Sequence, residues 1–174
     1  LVNAESYKKI SDHIGKFPCV MIAPDDVELI AGPSEERRKL MDSILSQTNR
    51  DYLIQLIGYN KILQQRNSLL KQMAEQPQMS NDLLEVYNEQ LIHSGNLIYQ
   101  ERKKFLHIFL PMVGENYATI AGKNEDIQLA YESQLLSTTF KDILAENLIK
   151  DKALQRTTRG VHRDDIGIYL NDCP

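Results

Sequence analysis

The chain has 174 residues, of which 42% are hydrophobic and 25% are charged, with a formal net charge of −4. This length predicts about one domain, and the mean hydropathy of −0.39 is that of globular protein rather than a disordered tail. No apolar run approaches the roughly 18 residues of a membrane span, so no membrane partner is expected. The two cysteines, Cys19 and Cys173, are too far apart in sequence to indicate a disulfide scaffold or a zinc site, and reduced thiols in the cytoplasm are expected. With only eight glycines and six prolines, the composition favours long helices.

The first 31 residues are expected to contain β-structure. The apolar run 18–23 predicts a short buried strand, and Asp25 and Asp26 follow it. Carboxylates at the end of such a strand either bind a ligand or cap a turn, and both roles stay open. The stretch 32–36 then opens a helix, because its proline suits a first turn and its glutamates complement the helix dipole.

Two heptad-like seams follow and predict an antiparallel helical hairpin. Apolar residues recur at spacings of three and four, with one charged interruption at Arg66 in the first seam. The segment 76–80 breaks the pattern, and Ser80 or Asn81 can cap the second helix. A projecting arm is favoured over two helices packed inside a bundle. The seam positions are Tyr52, Leu56, Tyr59, Leu63, Arg66, Leu70 and Met73, then Leu84, Tyr87, Leu91, Ser94, Ile98, Glu101 and Phe105.

Beyond the hairpin the chain returns to mixed structure. Pro111 should kink or end the second helix after Leu110. Residues 127–131 alternate as a strand, and 137–139 cap a helix that carries the apolar residues of 140–148. Residues 166–170 predict a second strand that enters a turn with no hairpin partner. We therefore expect an interior piece of a longer protein.

No known catalytic motif is present in the sequence. There is no phosphate-binding loop, and the triplet His162-Arg163-Asp164 lacks the asparagine of a kinase catalytic loop, because Tyr169 stands there. Consecutive aspartates on a strand point to opposite faces, so Asp164 and Asp165 are expected to form a hydrogen-bonded or solvated cluster with His162 rather than a metal site. No metal ligands are predicted, and His13, His93 and His107 are isolated in sequence.

Four segments, in order, resemble the RecF family of bacterial DNA repair proteins. The stretch 23–42 resembles its signature, and 59–70, 90–102 and 160–165 are similar to three further motifs of the family. Val161 departs from the pattern, because the family has proline there. The residues that carry the resemblance include Pro24, Gly32, Asp42, Asn67, Gly160, His162, Arg163, Asp164 and Asp165.

The resemblance implies a fold that is mainly α with peripheral β. An antiparallel helical hairpin, the lid or arm, would be inserted between short strands of an incomplete ABC-type ATPase head. Residues 1–31 would belong to the head, 32–152 to the helical lid or arm, and 153–174 to a returning head strand. The fragment itself would not be an enzyme, whereas the parent protein would be a weak DNA-dependent ATPase.

The implied function is recombinational DNA repair. The parent protein would bind gapped or single-stranded DNA, with ATP and Mg as cofactors, form an ATP-dependent homodimer, and help RecO and RecR to load the recombinase RecA. The alternative is a helical protein-interaction module for dimerisation or RecR binding without DNA contact. Asp25 and Asp26 would lie near a nucleotide-sensing Q-loop.

Basic residues supply the candidate DNA contacts. The segment 31–74 carries seven basic and four acidic residues, a net +3, although a mixed-charge solvated helix face is the more common meaning of such a pattern. Arg37 and Arg38 could instead lock the helices onto the head through Asp25, Asp26 or Asp42. The candidates are Arg37, Arg38, Lys39, Arg66, Arg102, Lys103 and Lys104.

Overall fold

The computed structural model describes residues 21, 23–76, 78, 80–121, 125 and 127–170. The predicted strand over 18–23 lies mostly outside the described residues, as does Cys173. A 3-10 turn at Pro24–Val27 precedes the first helix. The elements are α1 (Glu28–Ala31), α2 (Ser34–Thr48), α3 (Arg50–Glu75), α4 (Asp82–Ala121), β1 (Ile127–Glu132), α5 (Phe140–Glu146), α6 (Leu148–Leu154) and β2 (Asp165–Leu170). The mainly α fold with peripheral β is confirmed.

Helices α3 and α4 form the predicted antiparallel hairpin. Near the start of α3, the Tyr52 hydroxyl lies 3.1 Å from Nε of Arg102, whereas further along Arg66 Nε donates to Asn88 Oδ1 at 2.7 Å. Residues later in α3 therefore contact residues earlier in α4, which means that the two helices run antiparallel. Ser80 Oγ accepts a hydrogen bond from the Asp82 amide at 3.2 Å and caps α4, as predicted.

The seam positions form the core. One cluster runs along most of the hairpin, and Leu91 and Ile98 at its centre are fully buried. Complete burial of each such side chain contributes about 1.5–3 kcal/mol. A second cluster of Leu69, Leu70 and Leu84 closes the end near the connection between α3 and α4.

The hairpin is packed along its length, so the preference for a projecting arm is wrong. Phe140 at the start of α5 is buried in the main cluster, and Leu148 at the start of α6 packs against the second cluster. Thr139 Oγ1 accepts from the Asp142 amide at 3.2 Å and caps α5, whereas the predicted single helix is divided at Asn147. Apolar side chains on 140–148 bury the outer side of the seams, which a bare arm would expose to water.

Pro111 does not end α4, which continues through it to Ala121. Proline removes one backbone donor and its ring crowds the preceding turn, at a cost of about 3 kcal/mol in a helix interior. Phe105, Phe109 and Leu110 pack against the main core cluster on the preceding turns. This tertiary packing offsets the cost of the proline.

The two strands pair with each other. β1 and β2 are antiparallel, and Leu129 lies opposite Ile168. The expectation that the final strand lacks a partner is therefore wrong, because its partner precedes it by more than thirty residues, across α5 and α6. The pairing also joins the predicted lid (32–152) to the predicted returning strand (153–174).

Candidate functional site

Arg102 is the centre of a buried polar cluster that joins five parts of the chain. Its side chain is 2% exposed and donates to both carboxylate oxygens of Asp42, at 2.8 and 3.1 Å. It also donates to Asp164 Oδ2 at 3.1 Å and to the Val161 carbonyl at 2.6 Å. Burial alone would lower the pKa of Arg102, but Tyr52, Asp42 and Asp164 raise it, so the guanidinium stays charged.

Asp164 receives a further hydrogen bond from the sheet. The Tyr131 hydroxyl on β1 donates to Asp164 Oδ2 at 2.6 Å. Burial raises the pKa of Asp164, against the opposing effects of Tyr131 and Arg102. With Tyr52 on α3, which bonds to both Arg102 and Asp42, the cluster links α2, α3, α4, β1 and the turn before β2.

Arg66 forms a second buried cluster nearer the α3–α4 connection. Its side chain is 0% exposed, and Nη1 donates to Asp151 Oδ2 at 2.8 Å and to Thr157 Oγ1 at 2.7 Å. Asn67, the next residue, accepts from both the amide and the hydroxyl of Thr157 at 2.7 and 2.8 Å. Arg66 and Asn67 therefore fix the segment after α6 against α3.

The adjacent arginines Arg37 and Arg38 make different contacts. Arg37 forms a two-point ion pair with Asp165, at 2.7 and 2.9 Å, and donates to the Gly32 carbonyl at 3.1 Å. Arg38 donates from Nη1 to the Ser34 hydroxyl at 2.8 Å and to the Asp164 carbonyl at 2.6 Å, both uncharged acceptors. The predicted locking role fits these contacts, but through Asp165 and the backbone of Asp164 rather than through Asp25, Asp26 or Asp42.

The turn at 160–163 depends on a glycine and a neutral histidine. Gly160 has φ of 131°, and a Cβ there would lie 2.7 Å from Phe140 Cζ. His162 Nε2 lies 3.2 Å from the Thr157 carbonyl, so it must carry the proton, and Nδ1 then accepts from the Tyr59 hydroxyl at 2.8 Å. Burial lowers the pKa of His162 to about 4, so the ring is neutral at pH 7.

A cleft of about 400 Å³ lies between α2, α3 and this turn, and we call it the basic cleft. Its cationic side chains outnumber its carboxylates by four to two. It is lined by Glu35, Arg38, Lys39, Asp42, Leu56, Tyr59, Asn60, Arg102, Val161, His162 and Arg163.

Two of the predicted DNA contacts are enclosed by protein. Arg66 and Arg102 are buried and paired with Asp151, Asp42 and Asp164, so in this structure carboxylates of the chain already neutralise both guanidinium groups. Their prediction as DNA contacts is corrected to a structural role. A charged residue in an apolar seam signals a buried partner, but the sequence did not identify Asp151 as that partner.

Among the predicted DNA contacts, Lys39, Lys103 and Lys104 are exposed, whereas Arg37 and Arg38 are half-buried. Lys39 pairs with Glu35 and Glu36, at 3.1 and 2.8 Å, and Lys104 pairs with Glu101 at 2.7 Å. Lys103 lies over the Tyr99 ring, with Nζ 5.9 Å from its centroid. These three lysines stay candidates for phosphate contact.

The remaining motif residues form the start of the described chain. Pro24 begins the 3-10 turn, and Asp26 Oδ2 accepts from the Ala23 amide at 2.8 Å, which is the turn-capping role. Asp25 is exposed beside it. Gly32 has no room for a side chain, because a Cβ would lie 2.5 Å from the Glu28 carbonyl oxygen.

Two features of an ATPase site, a metal-binding cluster and a phosphate-binding loop, are not found among the described residues. Among them, no group of three or more His, Cys, Asp or Glu side chains could hold a metal ion. The sequence contains no phosphate-binding-loop motif, and we assign no step of ATP chemistry to these residues. No helix in the described part of the chain has the length and apolar character to cross a bilayer.

The curated proteins to which the chain is similar are named RecF. No protein-family model matches it. It is 45% identical over 172 residues to the DNA replication and repair protein RecF of Flavobacterium johnsoniae, covering 99% of this chain and 48% of that protein. For RecF of Cytophaga hutchinsonii the identity is 39% over 173 residues, covering 99% and 46%. The chain thus spans about half the length of these curated relatives.

Solved structures agree with the sequence comparison. The structure of the recombination mediator protein RecF-ATPrS in the RecFOR pathway matches with a TM-score of 0.87 and 29% identity, covering 95% of this chain and 47% of that one. The corresponding RecF-ATP structure matches with a TM-score of 0.83 and 30% identity, covering 92% and 45%. These matches confirm the resemblance that the sequence motifs indicated.

Proposed function

The chain is homologous to RecF proteins over about half of their length, and from this premise we propose that it is a segment of a RecF-like recombination mediator. The complete protein binds gapped or single-stranded DNA and ATP, and with RecO and RecR it helps to load RecA. The observation that carries the proposal is the 45% identity along 99% of the chain, together with the matching fold. The site of action proposed is the cytoplasm.

We propose that the chain contributes to two parts of the complete protein. Residues 1–31 and 153–174 belong to an ABC-type ATPase head, and 32–152 form its helical lid. Arg37 and Arg102 connect the lid to Asp165 and Asp164 through a half-buried and a buried ion pair. Arg66 donates to the Thr157 hydroxyl at 2.7 Å, and these three contacts support a lid that moves with the returning strand as one unit. Asp25 and Asp26 would lie near a nucleotide held by the rest of the head, as the resemblance implies.

In this proposal the chain alone does not hydrolyse ATP, whereas the complete protein is a weak DNA-dependent ATPase that dimerises with ATP. Phosphate release is measured for the isolated chain and for the complete protein, with and without gapped DNA. Turnover by the isolated chain would contradict the assignment.

The mediator role is tested by RecA assembly. RecA filament growth on gapped DNA is followed by fluorescence with RecO and RecR, in the presence and absence of the complete protein and ATP. We expect faster assembly only when the protein and ATP are both present. An equal rate of RecA filament growth in all four conditions would contradict the proposed function.

A second candidate function is protein binding without DNA contact, and one observation favours it. Ile108 and Met112 on α4 are four residues apart and exposed, and Ile120 near the helix end is also exposed. Apolar side chains on one helix face can bind a partner helix, such as RecR or a second copy. Capture of purified RecR by a protein that shows no DNA binding would favour this candidate.

A further inference from the structure

The basic cleft has positive charge that its own carboxylates do not neutralise. Asp42 already accepts three hydrogen bonds from Arg102, and Glu35 pairs with Lys39 at 3.1 Å. The two carboxylates of the cleft are therefore both occupied by cations. The charges of Arg38 and Arg163 remain.

Arg38 differs from its neighbour Arg37 in the acceptors it uses. The Arg37 guanidinium faces a carboxylate at two points, whereas the printed bonds of Arg38 go to a hydroxyl and a carbonyl oxygen. Burial lowers the pKa of Arg38, and the nearby charges of Arg102 and Arg163 lower it further, whereas Asp165 and Asp164 raise it. An anion placed beside Arg38 would favour its charged form.

Arg163 is the second cation that remains in the cleft, and it lies on the turn before β2 whereas Arg38 lies on α2. It lies at the end of the Val161–Arg163 turn, is exposed, and lines the same cleft. The turn is held in place by the Arg102 bond to the Val161 carbonyl and by the Tyr59–His162 bond. His162 uses both ring nitrogens in these contacts and is neutral, so it fixes the turn without adding charge.

We propose that the basic cleft binds one phosphate group, with Arg38 and Arg163 as its charged donors and Asn60 as a neutral donor at its edge. Guanidinium groups match phosphate oxygens in two-point geometry, and two of them that line one cleft can hold one phosphate between them. The volume of about 400 Å³ admits a phosphate together with the sugar attached to it. The phosphate belongs to a nucleic-acid backbone, an assignment that rests on the proposed function, or to a nucleotide.

The test is the salt dependence of DNA binding by the complete protein. Fluorescence anisotropy gives the Kd for a labelled gapped duplex at several concentrations of NaCl, for the wild type, Arg163→Gln and Arg38→Gln. Loss of one phosphate contact lowers the slope of log Kd against log salt by about 1. Arg163 is exposed, so its substitution is expected to leave the fold intact even if that of Arg38 does not.

Arg159→Gln is the matched control. Arg159 is exposed, lies four residues before Arg163 and does not line the cleft. Its substitution therefore removes the same charge at a position outside the cleft. A fluorescent ATP analogue is titrated in parallel. A weaker DNA slope, or weaker analogue binding, in Arg163→Gln but not in Arg159→Gln supports the phosphate site and identifies its source.

Equal behaviour of Arg163→Gln, Arg159→Gln and wild type with both ligands would overturn the phosphate site alone. Failure of the wild type to bind DNA would overturn the proposed function, and the ATP analogue would then decide the site by itself. The two failures are therefore distinguishable.

Discussion

Replacement of Arg66 by methionine should destabilise the protein strongly, because Arg66 is a structural residue. Methionine keeps much of the side-chain volume but removes three hydrogen bonds, to Asn88, Asp151 and Thr157, at 2.7–2.8 Å. Asp151 is 0% exposed and keeps only its bonds from the amide and hydroxyl of Thr158. Breaking such a buried pair costs about 3–5 kcal/mol, since the remaining charge is left without its partner.

The free energy of unfolding is measured by urea titration followed by circular dichroism at 222 nm. Lys71→Met is the matched control, because Lys71 is exposed on the same helix and loses the same charge, with an expected change within about 0.5 kcal/mol. The double variant Arg66→Met/Asp151→Asn should recover part of the loss, since no buried charge then lacks a partner. A loss below about 1 kcal/mol for Arg66→Met would refute the buried pair.

Three further changes test the turn before β2 and the helix α4. Gly160→Ala should cost roughly 2–4 kcal/mol in urea unfolding, because φ is 131° and the new Cβ would lie 2.7 Å from Phe140 Cζ. Gly114→Ala should instead stabilise the protein by about 0.5–1 kcal/mol, because no heavy atom lies within 4 Å of the new Cβ in a helix interior. Acid should also destabilise it: the pKa of His162 falls from 6.5 to about 4 on folding, so the unfolded chain binds the proton first. Up to about 3 kcal/mol is lost as pH falls from 6.5 towards 4, and His162→Gln should flatten that slope; an unchanged slope would contradict a neutral, buried ring.

The helical hairpin could be predicted from the sequence because the signals for it lie within short segments of the chain. Spacings of three and four along 52–73 and 84–105 identify the buried faces, and Ser80 identifies a helix start. Burial of Leu91 and Ile98 follows from the same periodicity. The resemblance to RecF then supplied the motif residues around these helices.

The cluster contacts could not be predicted because they join distant segments. Arg66 and Asp151 are 85 residues apart, and Arg37 and Asp165 are 128 apart. The residue type alone does not show whether a basic side chain faces solvent or a buried carboxylate. Counting charges therefore could not show that Arg66 is buried whereas Lys39 is exposed. The prediction that Pro111 ends α4 was wrong for a related reason, because tertiary packing outweighed the unfavourable local effect of proline in a helix.

The central claim is that buried arginines hold the fold while cations of the basic cleft contact phosphate. The salt slope of gapped-DNA binding tests both halves at once, measured at a temperature where each variant is folded. The account predicts a wild-type slope for Arg66→Met and a slope lower by about 1 for Arg163→Gln. A lowered slope for Arg66→Met with a wild-type slope for Arg163→Gln would contradict it.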